Sequence, residues 1–487
     1  MCQALGISAP GRNCWRVECA ERASVLVDAA AYYRRLAQAI RKARRSIVIL
    51  GWGFDASIRL CPEDSEQTLG DLLRECVERH PGLEVRVLIW SFAVVHAPGA
   101  PMPLLLGSNW DDHPRIQLRL DVDHPIYAAH HQKIVCIDDC VAFAGGMDLT
   151  LMRWDTCEHR VNHPIRQCPD GSHYGPVHDI QMVIAGEAAR SLAEIARARW
   201  LAATGGDLPA IDRAGDCWPD GLRPDFIDTR IAIARTAPAF GGRPGAQEAI
   251  RLTLDALSSA RRRLYIEAQY LTAPSIGRVL ASRLREEHGP EIMIVVTRSS
   301  RSRLERFVMG QNRDRLLRKL MQADRHGRLR VLYPVHRDRD GGGEREILVH
   351  SKLIIADDVF LRVGSSNLNN RSIGLDSECD LAIDVRTPSE RAAIATIMYR
   401  LIGEHLGVSP ESISKAYRSQ RSLIDVVDRF SDSPRELRPL DVKLNGPTRP
   451  VFGTGLLDPV RPFEPDWLLR RKPRHPARHG TRPVSQR

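Results

Sequence analysis

His131-Gln132-Lys133-Ile134-Val135-Cys136-Ile137-Asp138 and His350-Ser351-Lys352-Leu353-Ile354-Ile355-Ala356-Asp357 are two copies of one pattern, His-x-Lys-x4-Asp. On an extended strand, residues two apart point to the same face, so each copy presents an imidazole beside an ammonium. The residues between the lysine and the aspartate are apolar enough to fix that strand in a core. The chain holds only seven lysines, and at this composition a His-x-Lys is expected by chance about 0.24 times, before any aspartate is required. Two complete copies therefore mark an internal repeat.

The flanking sequence repeats as well. Residues 29–43 read as an amphipathic helix followed by a strand at 46–50, and residues 246–260 as a helix followed by a strand at 263–266. The junctions Ala43-Arg44-Arg45-Ser46-Ile47 and Ala260-Arg261-Arg262-Arg263-Leu264 lie 217 residues apart, close to the 219 of the paired motif. A second strand is expected at 83–89 and 291–296, and a third at 115–120 and 328–333. Helices alternating with strands, twice in the same order, predict an α/β fold of two similar lobes. The expected division is a first lobe at 1–203, a connector with an opening strand (230–235) at 204–245, and a second lobe at 246–408. A helix at 409–430, with Ser409 as N-cap and Pro410 at the first position, then leads into a Pro-rich basic tail ending at 487.

Two facing strands of this kind would place His131, Lys133, His350 and Lys352 around one phosphorus atom. One imidazole attacks and the other protonates the leaving oxygen, while the lysines stabilise the developing charge. Each motif is followed by a turn of small residues. Gly364-Ser365-Ser366-Asn367 offers Ser365 and Asn367 as donors to phosphate oxygens. Gly145-Gly146-Met147-Asp148 places Asp148 where the other copy has asparagine, so the half-sites are not equivalent. Asp179 and Glu378 each lead an apolar strand and read either as acids that hold an imidazole in one tautomer or as strand caps. Asp138 and Asp357 end their strands and read as turn-forming residues rather than catalytic ones. The arginine-rich helix at 301–323 reads as a solvated face, and Trp52, Trp90 and Trp110 as packing residues. The eleven cysteines show no CxxC pair or zinc spacing, so reduced thiols are expected, with no metal site and no cofactor.

Length and charge bound the partners. The chain has 487 residues and a formal charge of +10, from 70 basic and 60 acidic side chains. Its hydrophobic fraction of 43% supports a sizeable core. No apolar run approaches the ~18 residues that span a bilayer, and no signal peptide is visible in residues 1–15. The expected location is cytoplasmic, peripheral at the inner membrane face. After Asp466 come Arg470, Arg471, Lys472, Arg474, Arg478, Arg482 and Arg487 without an acid, so the tail carries seven of the ten net charges. It reads as a solubilising tail or as a contact for an anionic surface.

These residues resemble the phospholipase D superfamily, whose mark is the duplicated His-x-Lys-x4-Asp motif, across residues 23–407. Arg153-Trp154-Asp155-Thr156-Cys157-Glu158-His159-Arg160, Tyr265-Ile266-Glu267-Ala268-Gln269-Tyr270 and Asn369-Asn370-Arg371-Ser372 are similar to its lipid-hydrolysing branch. The resemblance implies two α/β/α sandwich lobes with a single active site at their interface, and phosphatidyl transfer through a phosphohistidine. It implies His131 as nucleophile, His350 as general acid, and Lys133, Lys352 and Asn367 as phosphate contacts. The implied partner is a phospholipid bilayer surface, served by a monomer. The alternatives are a cardiolipin synthase-like phosphatidyl transfer and a nucleic acid substrate, the latter less favoured since aromatic residues make up only 6% of the chain.

Overall fold

The computed structural model describes residues 6–91, 110–212, 215–298, 303–338, 343–430, 433, 435–448 and 458–461. The strands carrying the paired motif, Ile134–Ile137 and Lys352–Ala356, occupy the same place in two equivalent series. In the first series the neighbours run Ile116–Asp121, Glu84–Trp90, Ser46–Gly51, Ile134–Ile137, Val141–Gly145, Ile180–Ala185, Arg16–Val27. In the second they run Leu329–Asp338, Glu291–Val296, Arg263–Ala268, Lys352–Ala356, Phe360–Gly364, Glu378–Asp384, Phe226–Ala237. The first three strands of each series are parallel and the rest antiparallel. Arg16–Val27 pairs antiparallel with Phe226–Ala237, from Arg16 opposite Ile233 to Ala23 opposite Phe226, and this pair joins the two series.

Side-chain alternation builds three cores. Ile47 and Ile49 face the outer helices Ala29–Lys42 and Leu69–Arg79, while Val48 and Leu50 face inward. Leu264 and Ile266 likewise face the helices Glu248–Ser259 and Pro274–Arg285, while Tyr265 faces inward. The inward faces of both series meet one core, which holds Leu192 and Trp200 of Glu187–Thr204 and Ile394 and Leu401 of Pro388–Leu406. Strands buried on both faces need continuous apolar runs, and Ile134–Ile137 is buried throughout. Each sheet is thus sandwiched between helices, as the α/β/α expectation requires.

The third motif residue has a structural task. The Asp138 carboxylate accepts hydrogen bonds from the backbone N–H groups of Arg44 (2.7 Å), Arg45 (2.8 Å) and Ser46 (2.7 Å). Asp357 does the same for Arg261 (3.0 Å), Arg262 (2.8 Å) and Arg263 (3.0 Å). Each aspartate therefore ties the end of its motif strand to the helix–strand junction of the same half, which is why junction and motif repeat at nearly one spacing.

Four expectations change. The opening strand of the first half, Arg16–Val27, escaped the sequence reading, while the strand expected at 230–235 is longer, Phe226–Ala237. The helix expected at 409–430 is two, Pro410–Gln420 and Leu423–Arg429. Arg421 takes φ 57° between them, and the Ser422 hydroxyl caps the second by accepting from Asp425 N. The helix Arg303–Ala323 does not present only solvated arginines: Arg315 and Arg318 are buried, and Arg318 donates to the Lys443 carbonyl at 2.7 Å. Trp90 and Trp110 are buried as expected, and Trp52 packs on Trp90. All ten described cysteines are free. No described helix is long and apolar enough to cross a membrane. The basic residues from Arg470 to Arg487 lie outside the described residues.

Replacing Asp138 by alanine removes the acceptor of three partly buried N–H groups and should destabilise the fold by about 1–3 kcal/mol in urea titrations. Turnover per folded molecule should stay near wild type. Unchanged stability with lost turnover would instead place Asp138 in the chemistry.

Candidate active site

Each motif histidine is held by a carboxylate from the opposite half. His131 Nδ1 lies 2.9 Å from Glu378 Oε2 and 3.1 Å from Oε1. His350 Nδ1 lies 2.7 Å from Asp179 Oδ2. The backbone crosses in the same reciprocal way: His131 N donates to the Ser377 carbonyl (3.0 Å), and His350 N donates to the His178 carbonyl (2.8 Å). A carboxylate at Nδ1 fixes the proton there and leaves Nε2 with its lone pair. Asp179 and Glu378 are therefore partners of the imidazoles rather than simple strand caps.

Small residues make room for these acids. A Cβ on Gly146 would meet Asp179 Oδ1 at 2.1 Å, so only glycine fits behind that carboxylate. At the equivalent place in the other half Ser365 is buried, and its hydroxyl donates to Glu378 Oε2 at 2.5 Å. The expectation that Ser365 contacts phosphate is thereby corrected: its donor is already engaged, and it positions the acid. Ser372 donates to Glu378 Oε1 at 2.6 Å and accepts from Asn367 N at 3.0 Å. Asn367 remains at the site, with a buried Oδ1 that has no hydrogen-bond partner among the described residues, so its amide can turn its N–H groups to an incoming oxygen.

The lysines differ. Lys133 Nζ pairs with Asp148 Oδ2 at 3.0 Å and donates to the His131 carbonyl at 3.1 Å. Lys352 Nζ donates to the neutral Gln269 Oε1 at 3.0 Å and to the His350 carbonyl, and lies 3.1 Å from His350 Nδ1. Asp148 accepts from Trp52 N at 2.9 Å with its other oxygen. Burial works to raise the Asp148 carboxyl, but Lys133, Arg153 and His131 together bring it below the ordinary range. One half of the site thus pairs its lysine with a carboxylate, while the other hydrogen-bonds its lysine to an amide oxygen.

Both imidazoles are held well below their ordinary pKa, His131 by burial and then by Lys133 and Lys352, and His350 by burial and then by Lys352, Arg153 and Lys133. Each histidine feels the lysine of the other half, so the two motifs form one site. Burial raises Glu378 to about 7. It also raises Asp179, against the pull of Lys352 and Arg153. Burial lowers Lys352 to about 7, against the pull of Asp179. The half-buried Arg153 was not singled out from the sequence. Its signal was its place in Arg153-Trp154-Asp155, five residues beyond the Asp148 turn. Gln269 and Ser372 were likewise missed as site residues, because each acts through a neighbour.

Two neutral imidazoles and two lysines brought together from both halves fit a phosphate diester. A family model described as "Cardiolipin synthase, PLD-like domain" matches residues 253–396, which include His350, Lys352 and Asp357. Phospholipase D A of Dictyostelium discoideum is 24% identical over 468 residues, covering 79% of this chain and 35% of that protein. Phospholipase D2 of Bos taurus is 21% identical over 472 residues, covering 73% of this chain and 48% of that protein. The chain is thus similar to the phospholipase D superfamily in both halves.

Its fold is that of a phosphatidylserine synthase of Haemophilus influenzae Rd KW20, with a TM-score of 0.54 at 16% identity, over 83% of this chain and 94% of that one. The chain spans 17%, 35% and 48% of the first three curated relatives it matches, less than half of each.

The depressed imidazoles make a linkage prediction. An anion seated between Lys133 and Lys352 offsets the charges that hold the imidazoles neutral, so their proton affinity rises on binding. Titrating sulfate into the protein at pH 7 in buffers of different ionisation heat should reveal uptake of up to about one proton. Binding with no proton uptake would contradict this reading of the site.

Proposed function

We propose that this chain is a phospholipase D-type phosphodiesterase that removes the headgroup of a glycerophospholipid through a phosphohistidine. The observation that carries the reading is the reciprocal pairing of His131 with Glu378 and His350 with Asp179 around both lysines. With Nδ1–H turned to Glu378, the His131 Nε2 lone pair attacks phosphorus, forming the P–N bond. The P–O bond to the headgroup breaks, and protonated His350 gives its Nε2 proton to the departing oxygen. Neutral His350 then takes a proton from water, whose oxygen attacks phosphorus and breaks the P–N bond, giving phosphatidic acid. A primary alcohol in place of water gives transphosphatidylation. Lys133, Lys352, Asn367 and Arg153 stabilise the phosphorane oxygens in both steps.

His131 as nucleophile rests on its likeness to the superfamily motif, supported by its greater access: its side chain is 17% exposed against 7% for His350. The substrate-bearing partner is a bilayer surface, reached by reversible docking at the inner face of the cytoplasmic membrane. One chain suffices, because both half-sites lie in it.

Vesicles of phosphatidylcholine, phosphatidylethanolamine and phosphatidylglycerol, with and without ethanol, should yield free headgroup and phosphatidylethanol. Either His131→Ala or His350→Ala should lower turnover by at least about a thousandfold. Rapid quenching at alkaline pH should place the phosphoryl adduct on His131. Cleavage of single- or double-stranded DNA without lipid turnover would transfer the chemistry to nucleic acid, and an adduct on His350 would exchange the two roles.

A further inference from the structure

Behind the catalytic floor lies a second cluster of ionisable groups that the phosphodiester chemistry does not use. Four side chains from four segments converge there: Asp28, His159, His178 and Glu404, all buried, with one ligating atom from each within 4.8 Å of the others. His178 Nδ1 lies 2.8 Å from Glu404 Oε1 and 3.2 Å from Asp28 Oδ1. His159 Nε2 lies 3.3 Å from Glu404 Oε1 and 3.5 Å from Asp28 Oδ2. Four ligands at ~2.0–2.1 Å around a tetrahedral ion stand about 3.3 Å apart, and these four pairs span 2.8–3.5 Å.

The outer contacts decide which nitrogen faces inward. His159 Nδ1 lies 2.9 Å from Asp155 Oδ2, and His178 Nε2 lies 2.8 Å from Glu267 Oε2. A neutral imidazole has one N–H. Spent on these outer carboxylates, it leaves each ring with a bare lone pair turned toward Asp28 and Glu404. Protonated, each ring would instead donate to Glu404 and Asp28, so the inward positions are filled either by two protons or by one cation that replaces them. A carboxylate behind each ligating imidazole is the usual outer partner of a metal-bound histidine.

Asp28 supplies an independent sign. It holds the N-cap position of the helix Ala29–Lys42 at φ 65°, yet its side chain makes no capping hydrogen bond, the task that favours aspartate there. Among the described residues its buried Oδ2 has no hydrogen-bond partner, while Oδ1 accepts from Asp179 N at 3.4 Å. The carboxylate has turned from the helix into the chamber. Around the cluster stand four carboxylates, Asp28, Asp155, Glu267 and Glu404, and beyond His159 and His178 they are reached among the described residues by Arg166, 3.3 Å from Asp155, and His405, 3.1 Å from Glu267.

We propose that Asp28, His159, His178 and Glu404 bind one divalent transition-metal ion, zinc by donor set, which clamps the two halves together beneath the active site. Three ligands come from the first half and Glu404 from the second. The ion is structural: the chamber is buried, and the ion touches no reacting atom. It bears on the site through the backbone, because the His178 carbonyl accepts from His350 N and the Asp179 carbonyl accepts from Asp28 N, both at 2.8 Å. The sequence hid the set because no two ligands stand at a metal-binding spacing. The inference does not depend on which phosphodiester is cleaved.

The test uses the full chain, purified folded from zinc-supplemented culture and passed over a chelating resin. Metal analysis should find about one first-row divalent ion per chain, released only when the chain is unfolded with chelator. X-ray absorption should show imidazole nitrogen and carboxylate oxygen at ~2.0–2.1 Å and no sulfur. Glu404→Gln should retain less than about a tenth of the metal. Folded wild-type protein with less than about 0.1 ion per chain overturns the proposal and leaves a chamber balanced by protons. Sulfur in the first shell, or a Glu404→Gln protein that folds and keeps its metal, moves the ion elsewhere and overturns it equally. Should that variant not fold, the wild-type metal content and absorption spectrum decide alone.

Discussion

His131 turns its Nδ1 to Glu378 and His350 turns its Nδ1 to Asp179, so each half of the chain supplies the base-bearing ring of one pair and the orienting acid of the other. Neither ring can take its reactive tautomer unless the opposite half is in register. Much of the rest serves that exchange. The Arg16–Val27 to Phe226–Ala237 pairing joins the two series of strands. The bridge between His130 and Ser377, and the short parallel pair of Leu348–Val349 with Val177–His178, bring each motif beside the acid of the other half. Gly146 and Ser365 then shape the space behind the carboxylates, one by lacking a side chain and one by donating to an acid.

The exchange is symmetric in layout and unequal in charge. Lys133 is matched by buried Asp148, whereas Lys352 donates to the neutral Gln269 and the carbonyl of His350 and lies 3.1 Å from His350 Nδ1. An ammonium with a carboxylate partner is a weaker attractor for a phosphate oxygen than one bound to an amide. The phosphate should therefore sit closer to the second-half lysine, leaving the more exposed His131 on the open side for attack. Arg153 adds a positive charge from the first half, felt by His350 and Lys352 alike.

The repeat and the four motif residues were legible because a strand keeps i and i+2 on one face and because the chain has so few lysines. Asp138 and Asp357 were readable as turn residues for the same local reason. What escaped depends on contacts across the halves. Nothing near Glu378 in the sequence says that its partner is His131, 247 residues away. Ser365 sits in a turn that looks built for phosphate, and only the fold reveals that Glu378 takes its proton. The strand Arg16–Val27 has a mixed pattern, because its two faces meet different cores, so it lacks the alternation that marked its neighbours. The Asp28, His159, His178 and Glu404 chamber is the extreme case, assembled from residues spread over most of the chain.

The central claim is that each imidazole is held in its reactive tautomer by the acid of the opposite half. Nitrogen-15 NMR of histidine-labelled protein reads this directly. The account predicts that His131 and His350 in the free protein are both protonated at Nδ1 with a bare Nε2. It further predicts that Glu378→Gln disturbs only His131 and Asp179→Asn only His350. An Nε2-protonated ring in the wild type, or a substitution that disturbs the histidine of its own half, would contradict it.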